Sequence, residues 1–136
     1  MSHDPAADGW REMRGAPLPG GIGIPWAKRV GDHWQYGLLT TEAHLNPQGV
    51  IHGGILMALA DHGISILAWE AAGRALCTTI QLNTHFIDAV RPGEFVTVSG
   101  EVTRRTRALV FTRGKLSAGG RDVAAVDGIW RILQAR

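Results

Sequence analysis

Residues 53–72 constrain the fold of this chain more than any other stretch. They are apolar on nearly every side (Ile55, Leu56, Met57, Leu59, Ile64, Ile66, Leu67, Trp69). The length suits one long helix, with Gly73 placed to cap its C-terminus. A helix whose apolar residues keep to no narrow stripe is a buried helix, so the rest of the chain must wrap it. After Gly73 the period changes to two. Over residues 76–89, Ile80, Leu82 and Phe86 fall on one face and Thr79, Gln81, Asn83 and His85 on the other. Residues 95–104, 108–118 and 123–133 read as three further strands, joined by short turns such as Ala118-Gly119-Gly120-Arg121. Ahead of the helix, residues 26–30, a Gly31-Asp32 turn and residues 33–40 predict a β-hairpin, and residues 41–51 a loop. Residues 1–23 carry Pro5, Pro17, Pro19 and a Gly20-Gly21-Ile22-Gly23 run. They read as a lead-in with a short helical turn over residues 6–13. Strands segregated from a single helix predict an α+β fold, a curved antiparallel sheet wrapped around one long central helix. The uncovered sheet face and edges then favour an oligomer.

At 136 residues this is one domain, spanning residues 24–136 behind the lead-in. Hydrophobic residues make up 45%, enough for a core without disulfides, and the single Cys77 excludes an internal disulfide. That cysteine usage fits a reducing, cytoplasmic setting. No secretory leader is read in the polar N-terminal residues. The apolar run over residues 55–69 is broken by Asp61 and His62 and is too short to span a bilayer. Fourteen bases against twelve acids give a net charge of +2, less than a nucleic-acid binder gathers on one face. The one dense basic run, Arg104-Arg105-Thr106-Arg107, is either a solvated hairpin surface or a landing site for a phosphorylated ligand.

The chemistry concentrates at the start and middle of the helix. The first N–H groups of a helix have no partner within it, and the macrodipole makes that end positive. Gly53 and Gly54 carry no side chain to block a substrate there, so this end offers an oxyanion hole for acyl transfer. Asn46 and His52 stand beside it as hydrogen-bonding groups. Asp61 lies among apolar neighbours, where an unpaired carboxylate costs several kcal/mol; such a residue suits a general base. Asp61 follows Gly53 by eight residues, about 12 Å along a helix. One carbonyl carbon cannot be held by the Gly53 N–H and attacked from Asp61 of the same chain. If both act together they come from two subunits, which implies a homodimer with two composite sites.

The pattern Asn46-x-x-Gly49-x-x-His52-Gly53-Gly54, with Asp61 eight residues after Gly53, resembles the hotdog-fold acyl-CoA thioesterases of the phenylacetate-pathway type. The matching element order covers residues 24–134. The resemblance implies hydrolysis of an acyl-CoA to a free acid and CoA, with CoA as part of the substrate and no further cofactor. It implies the Gly53 N–H as the donor that polarises the thioester carbonyl, Asn46 as its assistant and His52 as the residue that orients the loop. It makes Asp61, from the opposite subunit, the group that activates water or attacks directly. Thr79 takes the place of a strand hydroxyl that holds the water, where many relatives have serine. Family members are commonly tetramers built from such dimers, and an aromatic acyl group is the implied substrate, with medium-chain acyl next.

Trp69, Met57 and Trp34 are candidates to line an acyl pocket. Arg91, Arg104, Arg105 and Arg107 are candidates for the CoA phosphates. His62 points about 100° away from Asp61 around the helix, and His85 reads as a strand-face residue. His3, His33 and His44 read as surface residues. No His-Glu-x-x-His or comparable ligand spacing is present, so no metal site is expected. Two rivals stand beside the thioesterase. A hydratase or dehydratase of acyl thioesters would want an Asp–His pair, and Asp61 and His62 diverge. A non-catalytic acyl-CoA binding module would keep the pocket without needing Asp61. Neither nucleic acid nor membrane is expected as a partner.

Overall fold

The computed structural model describes residues 4–134. One helix, α1 (Gly53–Ala71), lies across a seven-stranded antiparallel sheet. The strands are β1 (Arg11–Glu12), β2 (Trp26–Val30), β3 (His33–Leu39), β4 (Cys77–Phe86), β5 (Phe95–Arg105), β6 (Leu109–Ala118) and β7 (Arg121–Ile132). Their spatial order is β1-β2-β3-β5-β6-β7-β4. The chain thus has the α+β class and the wrapped-helix architecture expected from its sequence. The predicted hairpin and the four later strands are all present, with ends shifted by a few residues.

The lead-in departs from expectation. Its helical turn is a 3-10 turn at Pro5–Asp8, ended by Gly9 at φ +86°. The next residues form β1, which pairs with Trp26 and Ala27 of β2. Trp10 meets the Phe95 ring edge-on at 5.0 Å, and Leu18 joins the main core.

Helix α1 buries Leu56, Leu59, Ala60, Gly63, Ile64, Leu67 and Ala68. This 3-4 spacing is the stripe an amphipathic helix lays on a sheet. Glycines let it settle closely. A Cβ on Gly100 would lie 2.6 Å from Ile64 Cδ1, and one on Gly114 would lie 2.7 Å from the same atom. At its C-terminus Gly73 adopts φ +68°. Its N–H bonds the Glu70 carbonyl while the Arg74 N–H bonds the Trp69 carbonyl, which is a Schellman cap. The fully buried helix expected from the all-round apolar pattern is buried on one face only. Ile55, Met57, Ala58, Asp61, His62, Ile66 and Trp69 are half-buried.

Strand β4 forms an edge of the sheet, hydrogen-bonded to β7 alone. Its strict alternation is broken. Thr79 pairs with Trp130 and Gln81 with Ile129, so Ile80 is the extra residue of a β-bulge. The bulge corrects the expected facing. Thr79, placed by period two on the face opposite Leu82, reaches α1 (its hydroxyl bonds Asp61), and Leu82 also packs against the core. Leu76, Ile80, Phe86 and the adjoining Ile87 are each more than half exposed.

Candidate active site

Residues 41–52 are pinned before the helix begins. The Asn46 N–H bonds the Val50 carbonyl, the Ile51 N–H bonds Val90, and the His52 N–H bonds His44, each at 2.8 Å. The His44 ring, expected at the surface, is buried. Its Nδ1 accepts from the Thr41 N–H at 3.0 Å and its Nε2 sits 2.6 Å from the Ile22 carbonyl, so both nitrogens are satisfied by backbone. With Nδ1 accepting, Nε2 is the nitrogen that carries the proton. This ring ties the loop to the lead-in.

The first turn of α1 then leaves one donor over. The Gly54 N–H is taken by His52 Nδ1 at 2.8 Å, and the Ile55 and Leu56 N–H groups reach the His52 carbonyl at 3.0 and 3.4 Å. Among the described residues, the Gly53 N–H alone of these four has no acceptor. Gly53 lines a cavity of about 410 Å³ together with Asn46, Phe86 and Val90. Asn46 Oδ1 accepts from the Gln48 and Val50 N–H groups at 3.0 and 3.2 Å. Two N–H donors fix the oxygen toward the loop, which leaves the Nδ2 amide free to donate. The glycine at 53 has a second reason. A Cβ there would lie 2.9 Å from the Phe86 ring, which packs over the start of the helix.

Asp61 stands two turns further on, at the middle of α1. It lines a cavity of about 490 Å³ with His62, Ser65, Ile66, Trp69 and Cys77. Its Oδ1 accepts from Thr79 Oγ1 at 2.7 Å and from Ser65 Oγ at 3.4 Å. Behind Ser65, the Trp130 indole N–H donates to its hydroxyl at 2.9 Å. The carboxylate expected among apolar neighbours is half-buried and hydrogen-bonded. His62 turns away and meets the Tyr36 ring edge-on at 4.8 Å. Burial lowers the His62 pKa, against the pull of neighbouring Asp61, and burial raises those of Tyr36 and Cys77.

The structure therefore gathers Gly53, Asn46 and His52 at the start of α1, and Asp61 and Thr79 at its middle beside the cavity that Trp69 also lines. Gly54 is engaged by His52, and Met57 is half-buried outside the stripe that meets the sheet. Trp34 lines a different opening, beside Gly63 and Val98, under the Arg29 guanidinium. Arg91 is exposed just past Val90, on the Gly53 side. Arg104, Arg105 and Arg107 are exposed around the β5–β6 turn, with the Arg105 charge felt at Cys77 on the Asp61 side. His33 and His85 are exposed, and His3 lies outside the described residues. Among the described residues no cluster of three metal-ligating side chains occurs. Sequence reasoning missed Ser65, Trp130 and Phe86. Ser65 had a signal, since it stands four residues after Asp61 on a helix; the other two are brought in by strand pairing.

A sequence model of the thioesterase superfamily matches residues 48–125. A Pseudomonas aeruginosa protein described as a candidate esterase is 29% identical over 92 residues, 67% of this chain and 69% of that one. Among solved structures, zebrafish thioesterase superfamily member 2 superposes with a TM-score of 0.72 at 19% identity, covering 80% of this chain and 81% of that one. A mutant of the phenylacetic acid degradation protein of Thermus thermophilus gives 0.71 at 17% identity, covering 96% and 100%. A hypothetical thioesterase of Streptococcus pneumoniae, solved with coenzyme A, gives 0.68 at 19% identity, covering 81% and 86%. At these identities the structural likeness is one of fold, the hotdog fold.

Proposed function

The chain belongs to the thioesterase superfamily and is a thioester hydrolase, and on that premise we propose that it hydrolyses an acyl-CoA across the interface of a homodimer. The observation that carries this is the splitting of the chemistry into two incomplete halves. An unpaired helix N–H beside a free amide donor lies at Gly53 and Asn46, and a carboxylate with a hydroxyl lies at Asp61 and Thr79. About 12 Å of helix separates them.

Strand β4 supplies the way to join the halves. The Phe86 end of this open edge packs over Gly53, and the Thr79 end touches Asp61. Antiparallel pairing of two such edges sets the Phe86 end of one chain beside the Thr79 end of the other. Gly53 then faces the partner's Asp61, and the exposed Leu76, Ile80, Phe86 and Ile87 are covered. The same pairing brings Arg91 of one chain and Arg105 of the other to one site, where they suit the CoA phosphates. Association of two dimers is the corresponding reading for the full assembly.

In the composite site the thioester oxygen accepts from the Gly53 N–H and Asn46 Nδ2. Asp61 takes a proton from water held with the help of Thr79, and the water oxygen bonds to the carbonyl carbon. The tetrahedral intermediate collapses, the C–S bond breaks, and the proton passes to the CoA thiolate. The products are a free acid and CoA, and no cofactor enters. Ile66, Trp69, Leu76 and Leu18 around Asp61 suit an aromatic or medium-chain acyl group. A single unpaired thiol suits a cytoplasmic setting.

The test is release of free CoA thiol from a panel of aromatic and straight-chain acyl-CoAs, wild type beside Asp61→Asn. Wild type is expected to turn over, and the variant to lose about 10²–10⁴-fold in kcat. Near wild-type turnover in Asp61→Asn would remove Asp61 from the mechanism. Binding without turnover in both proteins would make the chain an acyl-CoA binder.

A further inference from the structure

We infer that Ser65, held by the buried indole of Trp130, is a positioning residue that reserves one oxygen of Asp61 for reaction. The inference rests on the thioesterase mechanism proposed above and extends it to residues that neither the superfamily match nor the sequence pattern singles out.

The hydroxyl of Ser65 has its direction fixed by chemistry. Trp130 is fully buried on β7, and its indole N–H is a donor only. It donates to Ser65 Oγ at 2.9 Å, which occupies a lone pair of that oxygen. The single Ser65 proton must then go elsewhere, and the side-chain acceptor in reach is Asp61 Oδ1 at 3.4 Å. Donation therefore runs one way, from indole to hydroxyl to carboxylate. A chain of this kind polarises each member in turn.

Thr79 Oγ1 donates to the same oxygen at 2.7 Å. Thr79 and Trp130 are cross-strand partners on β4 and β7. One residue pair thus serves Oδ1 twice, directly from Thr79 and through Ser65 from Trp130. Among the described residues Oδ2 accepts no hydrogen bond. With both donors on Oδ1, rotation about the Cβ–Cγ bond is restrained, and Oδ2 is left as the free proton acceptor. A serine in a helix otherwise bonds the carbonyl four residues back; here its proton is directed by the indole into the site.

The test is a double-mutant cycle on thiol release. Ser65→Ala is expected to lower kcat about 10- to 100-fold, the range for losing a hydrogen bond to a charged group, with KM little changed. Ser65→Thr keeps the hydroxyl and should retain most of the activity. Trp130→Phe keeps a smaller aromatic ring but removes the N–H donor, and should add little to the kcat loss of Ser65→Ala. The deciding measurement is Ser65→Ala in the Asp61→Asn background. A positioning residue that acts through Asp61 then changes kcat less than about twofold, because the group it serves is already gone. An equal loss in both backgrounds, or a kcat within about twofold of wild type for Ser65→Ala alone, overturns the inference and leaves the thioesterase reading intact. Full activity in Asp61→Asn alone overturns both, and thermal melts of each variant separate loss of fold from loss of positioning.

Discussion

Asn46 does two jobs with the two ends of one amide. Its oxygen holds the loop by accepting from the Gln48 and Val50 N–H groups, and its nitrogen is the proposed donor to the thioester oxygen. Replacement by aspartate separates these jobs. Asn46→Asp keeps an acceptor for both backbone donors but exchanges the –NH₂ for a second oxygen that carries charge toward the developing oxyanion. The expected outcome is a melting temperature close to wild type with kcat lower by about 10²–10³, the range for losing one oxyanion-hole donor. Asn46→Ala should lose both the loop and the rate. Comparison of the two variants by thermal melting and thiol release checks this, and a fast Asn46→Asp would remove Asn46 from the carbonyl. The sequence made Asn46 visible through its spacing to His52 and Gly53. It did not show that the oxygen was already committed, because that depends on how residues 46–50 turn. His44 was misplaced for a similar reason. A histidine in a polar loop looks exposed until the Ile22 carbonyl from the lead-in arrives over it.

At the scale of elements, periodicity revealed what regular geometry dictates and failed where geometry is irregular. The switch from a long apolar run to period two separated α1 from β4–β7, and Gly73 marked the end of the helix. The bulge at Ile80 has no period. It brings Thr79 to the face where it meets Asp61, and counting by twos across it puts Thr79 on the wrong side. The all-round apolar pattern of α1 predicts a buried helix; in the single chain the sheet covers one stripe and leaves the Asp61 face open. Arg121 at the start of β7 is another tie that patterning hides. It donates to Glu94 Oε1 at 2.6 Å, to Asp88 Oδ2 at 2.8 Å and to the Ala89 and Ala118 carbonyls, which joins β7 to the β4–β5 connection. The hydrogen bond from Arg121 holds the Glu94 carboxyl below its ordinary value, with burial opposing and the Arg91 N–H assisting. A carboxyl whose pKa is depressed on folding contributes stability above its unfolded pKa and loses it as pH falls through the folded value. The melting temperature of wild type should exceed that of Glu94→Gln at pH 7. The gap should close as pH drops below about 4 to 5. Melting curves from pH 7 to 3.5 measure it, and a gap independent of pH would mean that the carboxylate charge adds nothing.

For the whole molecule, the open β4 edge, the uncovered face of α1 and the divided active site are three aspects of one geometry. Each is incomplete in a single chain, and the antiparallel pairing of two β4 edges proposed above would complete all three. The consequence is testable without any image of the assembly. In a composite site, Asp61 of one chain works with Gly53 and Asn46 of its partner. Mix Asp61→Asn protein with Asn46→Ala protein under conditions that exchange subunits. Each parent has both of its sites damaged and is nearly inactive. The mixed dimer collects both defects in one site and leaves the other with an intact Asp61 and an intact Asn46. Random exchange makes half the dimers mixed, each with one good site of two, so activity should recover to about a quarter of wild type. Recovery should follow the rate of subunit exchange and vanish when exchange is blocked. If the two halves instead served one site within a chain, no mixture could restore activity, and turnover would stay at the average of the two parents. That result would exclude a site shared between two chains and return the function of the β4 edge to packing alone.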